Sequence, residues 1–439
     1  MTSILTTGQR EQLHRQLDEL LDSLPAKLDD LGQAEQELQA GLRRLGAASL
    51  QHWADSASTA SPVPACSDCG QPMRHRGLAR CTLTTVLGPV HYRRPRRRCD
   101  RCGRESYPHD HKLRFQSHGV SWNLAAVVTR LASLLPSFDA ARQLLAEEHA
   151  IELSKQTIEQ LTHRAGRILM AQDDAKREAF FAEATKRPAS VCESPPFSPE
   201  MVAVYADGAK LHAEGDWREI RVGRSIAWDV EGKRLGQRTF ARFLPLEAFG
   251  QQLFLEAQRA GYAQAKKRAF LGDGAHWLWE LAAMHFPEAV PILDWYHLSK
   301  NVHQAAGEVF GEGSDGAAAW AEERLAELWN GQQRVARRVT AELRKQVRSK
   351  SKREALRKLG VYLKNNAERT DYPRYRALGL PIGSGPVESA CKKLVAGRCK
   401  QSGMRNWRRQ RAESVLRLRA AQWDGDFTTL WSTRLRQAA

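Results

Sequence analysis

The chain has 439 residues, of which 42% are apolar and 27% are charged, close to the average of globular proteins, so wholesale disorder is excluded. This length predicts roughly two to four domains. No stretch approaches the ~18 uncharged apolar residues of a membrane-spanning helix, and the N-terminal segment lacks the apolar core of a signal peptide. We therefore expect a soluble protein that is not secreted by a standard route and has no membrane partner.

Positive charge is concentrated in two segments of the chain. The net charge is +17, from 67 basic and 50 acidic residues, and residues 341–420 alone hold 22 basic and 6 acidic residues. A second segment, RRPRRRCDRCGR at residues 93–104, contains seven arginines. Segregated charge of this kind is typical of proteins that bind a polyanion, usually nucleic acid, although a solvated basic surface without a partner is the alternative.

Leucines recur at intervals of three and four through residues 8–50, with interruptions at Pro25 and Gly32. This pattern predicts two helices that form a hairpin or a short coiled coil, and we assign residues 1–55 to this helical segment. The apolar stripe would either pack against the same chain or mediate self-association. The small, polar, proline-containing residues 54–65 are typical of a linker.

Two Cys-x-x-Cys pairs, CSDCG and CDRCG, flank a segment that has β-branched and aromatic residues around a Gly-Pro turn. That segment predicts a β-hairpin. Four thiolates at this spacing suit the tetrahedral coordination of Zn²⁺, and the glycine after each second cysteine suits a tight turn. We therefore predict a zinc ribbon over residues 60–118 that holds a structural Zn²⁺ through Cys66, Cys69, Cys99 and Cys102. Cys81 lies between the pairs and is expected to be a bystander.

The pattern of residues 119–187 is typical of a helix-turn-helix. An apolar face that includes Leu145 ends near His149, and a second helix begins after Ser154, its expected N-cap, with Ile158 pointing inward. The exposed start of that helix would then contact DNA through Ser154, Lys155 and Gln156. Many ordinary helical hairpins share this pattern. A linker rich in proline and serine follows at residues 188–199.

Beyond this linker the alternation of apolar residues predicts the order β-β-β-α-β-α-β. The expected strands cover residues 201–208, 218–230, 238–245, 267–274 and 289–297. We assign residues 200–300 and 380–422 to a mixed α/β core, and residues 301–379 to a helical, increasingly basic insertion. The fold class is therefore multidomain α+β.

Three acidic residues stand where a fold can present carboxylates to a ligand. Asp207 and Asp273 each end a predicted strand and precede a glycine, and Glu388 begins a helix after GSGP. Converging carboxylates repel one another unless they bind cations, and oxygen ligands suit Mg²⁺ or Mn²⁺. Taken one at a time, the same residues fit a β-turn, a helix-entry turn and an acid favoured by the helix dipole.

Three strings around these acids carry a specific resemblance: VYADG, FLGDGAHWLWELAAMHFPEAVPILDWYH and GSGPVESACKK. They resemble the ISKra-type insertion-sequence transposases of the Mutator-like group, whose catalytic core is ribonuclease-H-like with a helical insertion. That group has a C/D-x-x-H signature after its second aspartate, which Asp294 and His297 match. The resemblance covers about residues 60–430.

The resemblance implies a function and a set of site residues. Asp207, Asp273 and Glu388 would be catalytic and would hold two Mg²⁺ (or Mn²⁺) ions during cleavage of double-stranded DNA at the ends of an insertion sequence and transfer to target DNA. Joining two ends implies a homodimer or higher oligomer, and the setting would be the bacterial cytoplasm, on the nucleoid. Asp294 and His297 would be a further metal ligand, a DNA contact or a buried hydrogen bond that braces the site, and we favour the last.

The basic segments supply the remaining candidate DNA contacts. We expect Trp407 to stack on a base. We expect phosphate groups to be neutralised by Arg93, Arg94, Arg96, Arg97, Arg98, Lys392, Lys393, Arg398, Lys400, Arg405, Arg408 and Arg409. Cys391 and Cys399 are expected to be small buried apolar residues.

Two other functions fit parts of this pattern. A non-catalytic DNA-binding regulator derived from a transposase would retain the zinc ribbon, the helix-turn-helix and the charge, but it leaves the three acids unexplained. A ribonuclease-H-like nuclease would cut DNA without joining it.

Overall fold

The computed structural model describes residues 5–24, 30–56, 64–108, 110, 119–182, 195–401, 403 and 406–435. Within these residues the protein is a mixture of α-helix and β-structure with two separate sheets, the α+β class that the sequence predicts. The chain divides into two compact units, one of Met1–Ala165 with Trp431–Ala439 and one of Gly166–Leu430. Among the described helices, none has the length and apolar character needed to cross a membrane.

The first unit begins with a pair of helices, α1 (Thr7–Asp22) and α2 (Leu31–Ser56). Leu20 is buried against Gly41, where an added Cβ would overlap the leucine side chain, so the two helices pack closely. The Gln51 side chain of α2 pairs with the His91 backbone, accepting from its N–H at 2.7 Å and donating to its carbonyl at 2.5 Å. The expected helical pair is therefore present, and α2 contacts the hairpin of its own chain.

A small antiparallel sheet follows, built from β1 (Arg74–Thr85), β2 (Gly88–Arg98) and β3 (Glu105–Ser106). Thr85 pairs with Gly88 at the turn of the β1–β2 hairpin, where the sequence predicts one. Gly88 has a φ of 125°, which a residue with a side chain rarely adopts.

Three helices follow the small sheet: α3 (Trp122–Leu134), α4 (Phe138–His149) and α5 (Lys155–Ala182), of which α5 continues into the second unit. The first unit also contains a π-helical segment near the end of the chain (Trp431–Leu435). Ala150, in the left-handed region with a φ of 50°, ends α4. The Ser154 hydroxyl accepts from the Thr157 amide at 3.1 Å, so it caps α5 as expected. Leu145 and Ile158 are fully buried, so the two apolar faces of the predicted helical hairpin are confirmed.

The second unit contains a five-stranded sheet with the strand order β6-β5-β4-β7-β8. The strands β4, β5 and β6 are antiparallel, and β7 and β8 run parallel to β4. The helix α6 precedes β7, and α7 lies between β7 and β8. The bounds are β4 (Met201–Ala213), β5 (Asp216–Trp228), β6 (Arg234–Arg242), α6 (Leu246–Arg259), β7 (Lys267–Gly272), α7 (His276–His285) and β8 (Val290–Leu293).

The predicted element order of this sheet is confirmed, but most strand bounds differ from prediction, and two of these differences concern candidate site residues. Asp207 lies inside β4, because Ala209, Leu211 and Ala213 continue the buried alternation beyond it. The strand β8 ends at Leu293, because the next residue caps a helix instead of extending the strand.

The region predicted as a helical insertion is helical. It contains α8 (Trp295–Phe310), α9 (Asp315–Trp329), α10 (Gln333–Gln346), α11 (Lys350–Asn365), a 3₁₀ turn (Ala367–Arg369) and α12 (Tyr372–Ala377). This region contacts β8 and α7 through hydrogen bonds: the Tyr372 hydroxyl donates to the Leu293 carbonyl at 3.0 Å, and the Trp279 indole donates to the Asn366 side chain at 3.0 Å.

The last elements of the second unit return to the sheet. They are α13 (Gly385–Ala390), a π-helical segment (Cys391–Ala396), α14 (Gly397–Cys399), α15 (Arg409–Asp424) and α16 (Phe427–Leu430). Arg242 of β6 donates to Glu413 of α15 at 3.1 Å, and Arg417 donates to Asp173 of α5 at 2.6 Å. These four side chains are buried, so charged hydrogen bonds join α5, β6 and α15 within the unit.

Candidate catalytic site and four-cysteine site

The four predicted zinc ligands lie together in the first unit. The Sγ atoms of Cys66 and Cys102 are 3.5 Å apart, those of Cys69 and Cys99 are 3.4 Å apart, and all four lie within 4.8 Å of one another. Cys66 and Cys99 are buried, and Cys81 is outside the group. This arrangement is compatible with a structural Zn²⁺, which favours four thiolates in a tetrahedron.

Each Cys-x-x-Cys pair forms the same tight turn. The Gly70 amide donates to the Cys66 carbonyl at 2.8 Å, and the Gly103 amide donates to the Cys99 carbonyl at 2.9 Å. Both glycines have a positive φ, 69° and 75°, which explains why glycine follows each second cysteine. In the second turn the backbone amide of Cys102 donates toward the Cys99 sulfur and lowers the pKa of Cys99 to about 7, which favours the thiolate that binds metal.

The strand register brings Asp207 and Asp273 to the same edge of the large sheet. The last paired residues of β4 and β7 are Tyr205 and Leu271. Adjacent strands lie about 4.8 Å apart and side chains repeat their face every two residues, so continuing this register by two residues sets Asp207 beside Asp273. Burial raises the pKa of Asp207, and the nearby charge of Asp273 raises it further.

Asp273 follows the last residue of β7 and is held by the loop that it begins. Its side chain accepts from the Ala275 amide at 2.9 Å, and its carbonyl accepts from the Tyr362 hydroxyl at 2.9 Å. Gly274 has a φ of 100°, and a Cβ there would lie 2.8 Å from the Tyr362 ring. Tyr362 was not identified from the sequence, since nothing in a helical pattern indicates which tyrosine of a distant insertion reaches a strand end.

Glu388 is half-exposed and lies on α13, the helix that directly precedes the π-helical segment. π-helical turns are rare and occur often at functional sites. Cys391 begins this segment, and its thiol lies 3.5 Å from Asp207 Oδ2. The expectation for Cys391 is therefore incomplete: it is half-buried and contacts a candidate catalytic acid, whereas Cys399 is buried as predicted. The spacing of three between Glu388 and Cys391 is the signal that could have placed them on one helix face.

Asp294 and His297 form a hydrogen-bonded pair at the start of α8. Asp294 is fully buried, caps the helix by accepting from the His297 amide at 2.7 Å, and accepts from His297 Nδ1 at 2.7 Å. It also accepts from the backbone amide of Ser384, in the loop before Glu388. Asp294 thus joins the end of β8 to the loop before α13, the helix that carries Glu388, which is the bracing arrangement expected from the sequence.

A histidine and two acids come close enough to share an ion. Ligand atoms of Asp294, His297 and Glu388 lie within 4.8 Å of one another, with His297 Nδ1 3.7 Å from Glu388 Oε1. Within the described part of the chain, the groups at metal-sharing distance are this one and the four cysteines, so Asp207 and Asp273 belong to neither.

Electrostatics connects the rest of the site to this group. The hydrogen bond to Asp294 raises the pKa of His297, and the charges of Asp273 and Glu388 raise it further. The same histidine lowers the pKa of Asp207 against the effect of burial. All four acids therefore interact electrostatically with one imidazole, whose pKa is raised above that of a free histidine.

The arginines of β2 are placed unequally for contact with a polyanion. Arg94 pairs with Asp110 and lies over the Tyr107 ring, and Arg96 pairs with Glu105. Arg93 and Arg98 are exposed, and Arg97 is half-buried. At the predicted helix-turn-helix, Ser154, Lys155 and Gln156 are all exposed.

The late basic residues are mostly exposed, with one correction. Arg398 has no exposed surface, and its guanidinium lies 5.2 Å from the Trp407 ring centre, so the prediction that it contacts DNA phosphates is wrong for this conformation. Trp407 is half-buried and bonded through its backbone to His212 and Glu214, so its ring is not an open stacking platform. The exposed members are Lys392, Lys393, Lys400, Arg408 and Arg409, and Arg405 lies outside the described residues.

Arg409 is itself paired with Glu214 at 2.8 Å. The exposed Lys392 and Lys393 follow Glu388 by four and five residues, on the helical segment that also contacts Asp207. Positive charge therefore lies next to the candidate catalytic acids, where a phosphate group would need it.

Compared with known proteins, the chain matches no protein-family model and no curated protein.

Proposed function

We propose that the protein is a DNA transposase that binds the terminal inverted repeats of an insertion sequence and cleaves and joins DNA strands in a ribonuclease-H-like core. The observation that carries the proposal is the convergence of Asp207, Asp273 and Glu388 from β4, the end of β7 and α13 around one edge of the sheet. The strand order, with three antiparallel strands followed by two parallel ones, supports the same core.

In this proposal the acids and their neighbours have separate roles. Asp207, Asp273 and Glu388 would hold Mg²⁺ or Mn²⁺, which when bound activates the attacking hydroxyl or water and stabilises the leaving oxygen. Asp294 fixes the His297 ring and the Ser384 amide, and so would position the loop before α13, the helix that carries Glu388. Lys392 and Lys393 would neutralise the phosphates next to the scissile bond.

The first unit would recognise the element ends. The four-cysteine group would hold Zn²⁺ and fix the β1–β2 hairpin, and the exposed start of α5 would enter a groove of the DNA. Changing Gln156 should then alter sequence preference, whereas changing Lys393 should weaken binding to all sequences alike.

Strand cleavage tests the proposal directly. DNA that flanks the gene serves as substrate, with Mg²⁺, Mn²⁺ or EDTA, for the wild type and for Asp207→Asn. We expect metal-dependent nicking at the 3′ ends and joined products with the wild type, and neither with the variant. Nicking without joined products would instead indicate a nuclease.

A non-catalytic DNA-binding regulator is the second candidate. It is favoured by one observation, namely that among the described residues Asp207 and Asp273 do not join Glu388 in a group of ligand atoms at metal-sharing distance. Tight binding of the flanking DNA without strand breakage in any metal would support the regulator and reject the transposase.

A further inference from the structure

A groove lined by basic side chains lies between α10 and α11, away from the candidate catalytic acids in sequence. It has a volume of about 610 Å³ and is open to solvent. We call it the arginine groove and define it by its charged lining residues: Arg334, Arg337, Arg338, Arg344, Arg357 and Lys364. Within the described residues, the lining of this groove includes no acidic side chain.

Helical periodicity explains why these charges share one surface. Arg334, Arg337 and Arg344 recur at intervals that place them on one face of α10, and Arg357 and Lys364 do the same on α11. Gly360 lies at the bottom of the groove between these residues and has no side chain to fill it. An added Cβ there would meet nothing within 4 Å, so the space above Gly360 is open. The result is an open channel whose two walls are both positively charged.

Little of this charge is neutralised by the chain itself. Residues 333–365 hold twelve basic and two acidic residues. Glu354 pairs with Arg357 at 2.7 Å, and Glu342 lies 4.0 Å from Arg338. In the part of the chain that the structure describes, no acidic side chain lies within ion-pair distance of Arg334, Arg337, Arg344 or Lys364. Like charges held this close favour a polyanionic partner.

The groove and the candidate catalytic site share one helix. Tyr362 of α11 donates to the carbonyl of Asp273 at 2.9 Å, and its neighbour Val361 lines the groove. Asn366, one turn further on, accepts from Trp279 behind the same loop. A phosphodiester chain that reaches Asp273 therefore needs only to cross α11 to reach the arginine groove.

We propose that the arginine groove binds the sugar–phosphate backbone of the duplex DNA that adjoins the scissile phosphate. The inference rests on the proposed function for the position of that phosphate, but the binding itself does not require strand cleavage. Spaced guanidinium groups suit phosphate groups, because two N–H groups of one arginine donate parallel hydrogen bonds to two oxygens of the same phosphate. The groove therefore contributes affinity and orientation, without reading base sequence.

Two variants with equal loss of charge test the proposal. The groove variant combines Arg334→Gln, Arg337→Gln and Arg344→Gln. The control variant combines Lys345→Gln, Arg348→Gln and Lys358→Gln, which are exposed residues of α10, of the turn between the helices and of α11, all outside the groove. All six changes are at partly or fully exposed positions, and glutamine has a helix propensity close to that of arginine and lysine. Thermal melting checks that both variants fold.

Binding of a duplex DNA of arbitrary sequence is measured by fluorescence anisotropy over a range of salt concentrations. We expect the groove variant to bind roughly tenfold more weakly than the wild type, with a slope of log K against log salt reduced by about 2 to 3, and the control variant to change much less. Equal affinities and slopes for the groove variant and the control variant would overturn the inference.

Cross-linking tests the position of the DNA. Gly360→Cys places a thiol in the open floor of the groove, and Lys358→Cys places one outside it. DNA with thiol tethers on successive phosphates should form disulfides with Gly360→Cys at phosphates near the cleavage position, well above the wild-type background and the Lys358→Cys control. Cross-links at the control level would overturn the inference.

Failure of the proposed function has a different signature. If the wild type leaves the flanking DNA intact in every metal, while the groove variant still loses affinity and Gly360→Cys still cross-links, the protein is not a transposase but the arginine groove is a DNA-binding site. If the wild type cleaves DNA and the groove variant binds as tightly as the control, only the groove inference is wrong.

Discussion

Asp294 concentrates more hydrogen bonds than the other acids of the site. It is fully buried and accepts from two nitrogens of His297 and from the Ser384 amide. Burial opposes its ionisation, but these donors hold the pKa of Asp294 below its usual range. A carboxylate with this many partners stabilises the structure of the site, because removal of the carboxylate leaves each donor without its acceptor.

We therefore expect Asp294→Ala to destabilise the second unit by about 2 to 4 kcal/mol, because at least one buried donor, the Ser384 amide, is left without its acceptor. Urea unfolding followed by tryptophan fluorescence measures the loss. His297→Gln is the matched control, since it removes the imidazole partner of Asp294 and keeps the hydrogen bonds that Asp294 accepts from the backbone amides of residue 297 and Ser384. A loss for His297→Gln equal to that for Asp294→Ala would contradict this account.

A substitution at Gly274 measures how closely the loop after Asp273 packs against Tyr362. Its φ of 100° and the approach of the Tyr362 ring leave no room for a methyl group. We expect Gly274→Ala to cost roughly 2 kcal/mol or more, from backbone strain and displacement of Tyr362. Gly425→Ala, at a φ of 83° with open space around it, measures the backbone strain alone. Equal melting temperatures for the two variants would show that Tyr362 is not held against the loop.

Single residues also show where the sequence is insufficient. Arg398 lies in a run of basic residues, which favours a surface position, but Leu394, Val395 and Cys399 on the same turns are buried. An apolar helical face around a basic residue is therefore the signal for a buried guanidinium. Trp217 shows the reverse: its size predicts a core position, and it is 59% exposed at the end of the β4–β5 hairpin.

At the scale of elements, the apolar pattern of the sequence identifies all five strands of the large sheet. The inner strands β4, β5 and β7 contain runs of consecutive buried residues, because both of their faces are covered. The ends are less predictable, since they depend on caps and neighbours. The apparent strand at residues 289–297 stops at Leu293 because Asp294 caps α8, and helix capping competes with strand extension. The approach of Asp207 and Asp273 depends on strand order, which periodicity alone does not specify.

Asp424, a buried acid where α15 contacts β6, has a raised pKa. Burial raises the pKa of Asp424 to about 8, even though its carboxylate accepts from the Thr239 amide at 2.7 Å and Arg238 lies nearby. The unfolded chain loses this proton near the ordinary aspartate pKa, about 3.9, whereas the folded protein keeps it. The stability that Asp424 contributes is therefore lost progressively as the pH rises from about 4 to about 8.

Asp424→Asn mimics the protonated side chain and should remove this pH dependence. We expect the variant to melt at a higher temperature than the wild type at pH 8, and at nearly the same temperature at about pH 4. Asp426→Asn is the control, because Asp426 pairs with Arg238 and its neutralisation should lower the melting temperature at pH 8. A constant difference between Asp424→Asn and wild type across this pH range would contradict the assignment.

At the scale of the whole molecule, the proposed function requires two copies to hold two DNA ends. The helical pair of the first unit exposes Leu21, Leu31 and Leu42, although α2 also packs on its own hairpin. We expect Leu31→Gln with Leu42→Gln to lower the mass in solution toward that of one chain, because exposed leucines are the surface that self-association would cover. Light scattering measures the mass, and Val230→Gln, an exposed apolar residue of the second unit, is the control. An unchanged mass for the double variant, or an equal change for the control, would exclude these helices as the interface.

The four-cysteine group determines whether the first unit is a metal-dependent fold. Cys66, Met73 and Cys99 form a small buried cluster of their own, with Cys69 against it, so few apolar contacts hold the start of the β1–β2 hairpin. A structural metal supplies folding free energy directly in such regions. We therefore expect one Zn²⁺ per chain in the wild type and none in Cys99→Ser, measured by elemental analysis.

The consequence for folding should be local. Hydrogen exchange in Cys99→Ser, or in the wild type after chelation, should become faster across β1 and β2 and remain slow in β4 and β7, where the core of the second unit is independent of the cysteines. Cys81→Ser removes a thiol from the same hairpin without touching the group, so it should retain the metal and the protection. Full protection of β1 and β2 in metal-free Cys99→Ser would show that the hairpin folds without zinc, and the cysteines would then have a role other than structural support.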